Sequence, residues 1–471
     1  MATKGFRFLF PATIMSKVSP VVTPSLSSSL APPNLRKLST SSVQSFSSAR
    51  TSAASSTSSI PFSAEPQVVK AEGLRHTSIV LDARNADNLD HGLVLFLQYK
   101  TPSFLLQLLD CIRALNIPSW TRPKISVQDI QIFKVSGSLT NAVFFVSCPT
   151  MKDVHTLLLR IYGPSSDSLI SRPRELRTLH ILSSRYNLGP KVYGTFQNGR
   201  MEEYFPSKTL TAEEMRNPQI SRWIGARMAE LHSVPIDVIE ETLPKNSGEG
   251  RGWELGAKKN VRSWLPHVRD VLVHSNMPQT IRDEIDLEKF KREWESYLQW
   301  LANVDDARSG SRRVFAHNDT QYGNLLRLEG VKVGAPHRQL IVVDFEYASP
   351  NPASFDIANH FHEWTYNYHS ATPHLPDESR YPSVKERENF YVSYLDHAGF
   401  SSPGPEQVKN LEEQVRCWSP ACHAMWAMWG LVQATDGIAR NVTDSEFEYV
   451  GYSRARMAAF RRSIIALGVS T

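Results

Sequence analysis

The run VFAHNDTQYGNLL, followed closely by LIVVDFEYASPN, constrains this chain more than anything else in it. Asp319 stands five residues before Asn324, and twenty residues after Asn324 comes Asp344, closing the apolar run Leu340 to Val343. A short apolar run bounded by polar residues reads as a buried strand. Any fold for this chain therefore has to present a loop bearing Asp319 and Asn324 together with a strand end bearing Asp344. Taken singly, Asp319 could cap a turn and Asp344 could merely close a strand. Two spaced motifs in this order, with a strand before the second, make that reading poor.

Transfer of a γ-phosphoryl group needs a carboxylate beside the attacking hydroxyl. It also needs oxygen ligands for the magnesium that bridges the ATP phosphates. Protein kinases supply these as His-Arg-Asp with an Asn five residues on, and later as Asp-Phe-Gly at a strand end. His317-Asn318-Asp319 with Asn324 keeps that spacing, and Asp344-Phe345-Glu346 takes the second place.

HNDTQYGN and DFEYASPNPASFDIANHFHEW resemble the signature of the choline/ethanolamine kinases, over roughly residues 75–470. The resemblance implies an α+β, bilobal, protein-kinase-like fold, with a small lobe of antiparallel sheet and one helix, a larger mostly helical lobe, and ATP between them. It implies that Asp319 is the catalytic base or orients the substrate hydroxyl, with Gln321 beside it in the same loop, and that Asn324 and Asp344 hold Mg2+. Ser136, Gly137, Ser138, Thr140 and Asn141 fall between two strands, where the family covers the ATP phosphates; a plain hairpin turn is the alternative. Arg160 matches the basic residue that contacts those phosphates, and Glu175 on the next helix is its expected partner. Glu203, Tyr204 and Phe205 fall in the adenine-facing hinge, although Glu203 stands where the choline group has Gln.

A quaternary ammonium offers no N–H, so its site must use aromatic faces and nearby carboxylates. Trp426 and Trp429 are three apart on an expected helix and share a face. A core pair is the commoner meaning of such spacing. The resemblance places them, with Tyr347, Glu363 and Tyr368, around the amine. His360 and His362 would point to different faces of a helix, so both read as structural rather than metal-binding. The expected reaction is phosphorylation of choline, and of ethanolamine with it, as the entry to phosphatidylcholine and phosphatidylethanolamine synthesis. An ethanolamine-preferring kinase, another small-molecule phosphotransferase, a metal-dependent phosphohydrolase and an inactive kinase-like scaffold are the alternatives.

Along the chain, residues 1–74 stand apart. Met1 to Ala64 contains no Asp or Glu and is rich in Ser, Thr, Ala and Pro, a composition that cannot bury enough apolar surface to order itself. It also suits a mitochondrial presequence, while the cytoplasm is the expected location. Residues 75–205 read as a strand-rich ATP-binding lobe and 206–471 as a catalytic and substrate-binding lobe. In the latter, Ile281, Ile285, Phe290, Trp294, Leu298 and Leu301 make one helical apolar face, and Ser419-Pro420 reads as a helix start. A net charge of +5 from 52 basic and 47 acidic residues gives no reason to expect nucleic acid. Four scattered cysteines make neither a disulfide framework nor a zinc site. No transmembrane segment is expected, because the best apolar stretch, Gly92 to Leu109, is cut by Lys100 and Pro102. Family members often pair, so a homodimer is the expected assembly.

Overall fold

The computed structural model describes residues 73–81, 98–121, 124–137, 141–162, 171–240, 253–305, 310–330, 334–441 and 447–470. The first elements are β1 (His76–Thr77), α1 (Pro102–Ala114), β2 (Gln131–Gly137), β3 (Asn141–Ser147) and β4 (Leu157–Tyr162). After α2 (Arg172–Arg185) come β5 (Val192–Phe196) and β6 (Gly199–Glu203), completing a six-stranded sheet in the order β1-β5-β6-β4-β3-β2. Among the described residues of this sheet the short β1–β5 pairing is parallel and the other pairings are antiparallel.

Side-chain alternation in this sheet decides what faces the future site. Along β4 every second residue is buried, so Leu157, Leu159 and Ile161 enter one apolar cluster with Phe104, Leu108 and Ile112 of α1. Burying each such side chain contributes about 1.5–3 kcal/mol. The period of two then turns Leu158, Arg160 and Tyr162 to the opposite face. α1 adds a second helix to the one expected in this region. Thr101 caps it, accepting from the Phe104 N–H at 3.3 Å, and Pro102 opens it.

The larger part runs through β7 (Ser207–Thr209), α3 (Pro218–His232), α4 (Ile236–Ile239), α5 (Gly256–Val273), α6 (Gln279–Ile285) and α7 (Leu287–Val304). It continues with β8 (Arg313–Ala316), β9 (Leu325–Leu328), β10 (Leu340–Val342), β11 (Ser349–Pro352), α8 (Ala353–Glu363), α9 (Val384–His397), α10 (Pro405–Gln433), α11 (Thr435–Ala439) and α12 (Tyr449–Ala466). A second apolar cluster fills it, and α2 packs into that cluster through Leu176, Leu179 and Leu182.

Two small sheets set the loops. β9 and β10 are antiparallel, pairing Leu325 with Val342, so the start of β9 lies beside the end of β10. β8 and β11 pair Ala316 with Ser349. Among the described residues no helix is long and apolar enough to cross a membrane.

Two sequence expectations need correction. The apolar face from Ile281 to Leu301 belongs to two helices, because Asp286 adopts a left-handed conformation (φ 39°) and caps α7 by accepting from the Lys289 N–H at 3.0 Å. Pro420 does not start a helix; it lies inside α10. An interior proline removes a backbone donor and disturbs the preceding turn. Here the Tyr297 hydroxyl donates to the Cys417 carbonyl at 2.7 Å, and burial of Trp418, Ala421 and Cys422 holds the helix together around the fault.

Candidate active site

The loop after β8 carries Asp319, and a buried clamp fixes its shape. The Asp356 carboxylate, on α8, accepts the backbone N–H groups of His317 and Asn318, both at 2.8 Å, and Nε2–H of His232 at 2.9 Å. Burial would raise this carboxyl, but the His232 and His317 interactions hold it below the usual carboxylate range. Asn318 can therefore sit at φ 66°, an uncommon conformation for a residue with a side chain. Its side chain donates to the Tyr347 carbonyl and to Ser349 Oγ, each at 2.8 Å, and accepts from Asn351 at 2.8 Å.

His317 ties this loop to the end of β10. Its Nδ1 accepts the Asp319 N–H at 3.2 Å, which leaves Nε2–H to donate to the Val343 carbonyl at 3.0 Å. Burial favours the same neutral ring and lowers its pKa. The Val343 N–H bonds the Asn324 carbonyl at 3.0 Å, so Asp344 (φ 69°) follows directly beside Asn324. The two motifs read from the sequence thus converge through the β9–β10 pairing.

Asp319 itself is buried and accepts Nδ2–H of Asn324 at 2.9 Å. Burial, then the neighbouring Glu363 and Asp344 carboxylates, push its carboxyl well above the ordinary range. Asn324 spends its amide N–H groups on Asp319, while its Oδ1 is buried with no hydrogen-bond partner. A stranded carbonyl oxygen next to an aspartate fits a hard cation that takes oxygen ligands, and Mg2+ needs few from protein when phosphates supply others. Gln321 uses Oε1 to accept the Gly323 N–H at 2.7 Å, closing the turn between Asp319 and Asn324.

A cleft opens beside Asp344. It is lined by Val143, Leu158, Arg160 and Glu203 of the six-stranded sheet, Glu175 of α2, Tyr204 and Phe205 of the connection to β7, and Leu326, Val343 and Phe345. Tyr204 packs against Phe145, its ring tilted by 58° with centroids 4.7 Å apart. The Glu203 carboxylate accepts the Lys191 N–H at 3.2 Å. Ser136, Gly137 and Asn141 are backbone members of β2 and β3, and Ser138 and Thr140 lie outside the described residues.

The expected Arg160–Glu175 partnership is replaced by a ladder of buried charges. Arg172 and Arg200 bridge Glu175 at 2.8 and 2.9 Å, Arg200 also holds Glu202, and Arg160 Nε stands 3.6 Å from Glu202. Burial alone would raise Glu175; Arg200 and Arg172 overcome it and hold the group ionised. Arg172 reaches Glu346 as well, at 3.7 Å. With Glu175 doubly bridged, Arg160 keeps a buried Nε–H with no hydrogen-bond acceptor, at the wall of the cleft.

On the other side of Asp319 lies an aromatic group. Trp426 and Trp429 of α10 do share a face: their rings are 5.2 Å apart, edge to face, and Trp426 is 5.3 Å from Tyr347. Trp429 Nε1–H donates to the Tyr347 hydroxyl at 2.8 Å, and Trp426 Nε1–H to Asn359 at 2.7 Å. Both indoles are thereby locked. The Tyr368 hydroxyl donates to Glu363, and the Tyr322 ring lies 5.7 Å from that of Tyr368, tilted by 33°, while its hydroxyl accepts the Tyr368 backbone N–H at 2.8 Å.

His360 and His362 are structural, as expected. His360 bonds the Thr320 carbonyl at 2.7 Å and accepts Trp364 Nε1–H at 3.1 Å; His362 bonds Ser419 at 2.7 Å. Burial pulls them to about 4 and about 3, so both are neutral.

Several members of the site escaped the sequence reading. Asp356 stands inside the quoted signature and could have been suspected from it. His232, Arg200, Tyr452 and Arg456 carry no local pattern at all; only packing brings them in. α12 approaches α10 at Gly430, where a Cβ would meet Ser453 Oγ at 2.3 Å, and that close approach carries Tyr452 to within 5.9 Å of Trp429.

Both the sequence and the fold have known relatives. Residues 132–461 match the family described as choline/ethanolamine kinase. A choline kinase of Schizosaccharomyces pombe is 33% identical over 78% of this chain and 91% of its own length. An ethanolamine kinase of Saccharomyces cerevisiae is 27% identical over 78% and 77%. The crystal structure of a choline kinase from Cryptosporidium parvum shares the fold with a TM-score of 0.60, at 24% identity, covering 77% of this chain and 96% of that one. The bilobal, kinase-like architecture expected from the sequence is thereby borne out.

Proposed function

This chain belongs to the choline/ethanolamine kinase family, and from that premise we propose that it transfers the γ-phosphoryl group of ATP to the hydroxyl of choline, and to that of ethanolamine more slowly. ATP use follows from the family. The observation that carries the acceptor is the position of Asp319, within electrostatic reach of Asp344 at the cleft and of Glu363 among the aromatic rings. A hydroxyl brought there on a cationic amine meets a carboxylate held by one amide, with Trp426, Trp429 and Tyr347 offering faces to the cation.

In the reaction the hydroxyl proton passes to the Asp319 carboxylate as the oxygen attacks the γ-phosphorus and ADP leaves. The raised affinity of Asp319 for a proton helps it act as acceptor, and the positive charge of the amine offsets the crowding by Glu363 and Asp344. Arg160, which lines the cleft with an Nε–H that makes no hydrogen bond, would hold phosphate. Magnesium, when bound, would be held by Asn324 Oδ1 and Asp344 and would neutralise phosphate charge. Otherwise the protein contributes positioning.

The test is steady-state phosphorylation of choline and ethanolamine in parallel, by wild type and Asp319→Ala. Turnover that falls by about a thousandfold in the variant is expected. No turnover of either amine by protein that binds ATP would sink the acceptor assignment.

A further inference from the structure

Glu363 lies among the aromatic rings, and each of its oxygens already accepts one donor. Arg456 Nη2 donates to Oε1 at 2.7 Å and the Tyr368 hydroxyl donates to Oε2. Arg456 is 1% exposed and Glu363 2%. The guanidinium lies over Tyr366 at 4.6 Å and Tyr452 at 5.2 Å, and Nε donates to the Tyr452 hydroxyl at 3.1 Å. A resident cation therefore occupies one end of the aromatic group. It lies over the rings of Tyr366 and Tyr452.

This pairing has a consequence for the amine. A quaternary ammonium needs only aromatic faces, whereas a primary ammonium carries three N–H donors that lose water on entering and need acceptors in return. A free Glu363 would supply such acceptors. Resting on the functional reading above, we infer that Arg456 is a specificity-determining residue: by neutralising Glu363 and taking one of its acceptor sites it weakens that carboxylate as a partner for N–H donors and so favours quaternary over primary amines. Arg456 acts through Glu363, as a positioning residue.

The experiment compares kcat/KM for choline and for ethanolamine in wild type, Arg456→Gln, Arg456→Lys and Tyr368→Phe, with thermal melts as a check on folding. Release of Glu363 in Arg456→Gln is expected to shift the choline-to-ethanolamine ratio at least tenfold toward ethanolamine, through a lower ethanolamine KM. Arg456→Lys, which keeps the cation, should restore most of the wild-type ratio. Tyr368→Phe frees the second oxygen at little risk to the fold, and should shift the ratio the same way by about threefold; it decides the matter if Arg456→Gln does not fold. A ratio unchanged in Tyr368→Phe, or both amines falling in parallel in a folded Arg456→Gln, would overturn the inference and leave Arg456 a purely structural residue. A wild type that phosphorylates neither amine would overturn the functional reading, a result distinct from an insensitive ratio.

Discussion

Asp356→Asn should damage both stability and chemistry without touching ATP or amine. The native carboxylate is fully buried and receives three donors: Oδ2 takes the His317 N–H and His232, and Oδ1 takes the Asn318 N–H. An amide in its place has one acceptor oxygen. The better orientation keeps oxygen at the Oδ2 position and turns NH2 toward the Asn318 N–H, so two donors face each other. One charge-assisted bond worth about 1.5–3 kcal/mol disappears, and a buried N–H is left unpaired at about 1–3 kcal/mol more. The two surviving bonds also lose their charge, which gives a total of roughly 3–6 kcal/mol, overlapping the range for breaking a buried ionic contact. The released strain falls on Asn318, whose positive φ the clamp maintains, and the adjacent Asp319 moves with it. A displacement on the order of 1 Å costs about a hundredfold in rate. Urea unfolding and steady-state kinetics would read the two effects, with kcat falling more than KM rises. A loss under about 1 kcal/mol with kcat unchanged would refute the clamp as the device that shapes the loop.

Three other expectations use independent parts of the site. Asn324→Ala removes the stranded Oδ1, and should lower kcat by about a hundredfold or more and raise the magnesium concentration needed for half-maximal rate; an unchanged magnesium titration would exclude Asn324 as a ligand. Trp429→Phe loses the indole face and its bond to Tyr347, and should raise the choline KM about three- to thirtyfold, the equivalent of about 0.5–2 kcal/mol of cation–π attraction, with little change in kcat. His360 is neutral in the fold and titrates at about 4 against 6.5 for an exposed histidine, so the unfolded chain takes up the proton first. Stability should therefore fall as pH drops from 6.5 toward 4, by roughly 3 kcal/mol from this residue. Urea unfolding across that range in wild type and His360→Gln would show the difference, and parallel curves would contradict it.

The alternation in LLLRIY announced a strand and which of its residues would leave the core, because a period of two is a local property of extended chain. The spacing of Asp319, Asn324 and Asp344 likewise announced the chemistry, since a loop and a strand end can be read from residues adjacent in the chain. The tryptophan pair was legible for the same reason: residues three apart on a helix share a face wherever the helix goes. Helix ends were less secure. Pro420 carries the local mark of a start, but burial of the α10 face outweighs the lost hydrogen bond, and Asp286 breaks a face that looked continuous. Charge partners were not legible at all. Arg160 and Glu175 seemed made for each other on adjoining elements, yet Arg200 and Arg172 reach Glu175 first, because pairing inside a protein is set by distances that exist only after the sheet and α2 have packed. The same holds for Arg456, whose 93-residue separation from Glu363 is bridged by α12 lying against α10. Residue types and local periodicity are carried by the chain before it folds, while the field at each buried carboxylate arises only when distant segments have excluded water from around it.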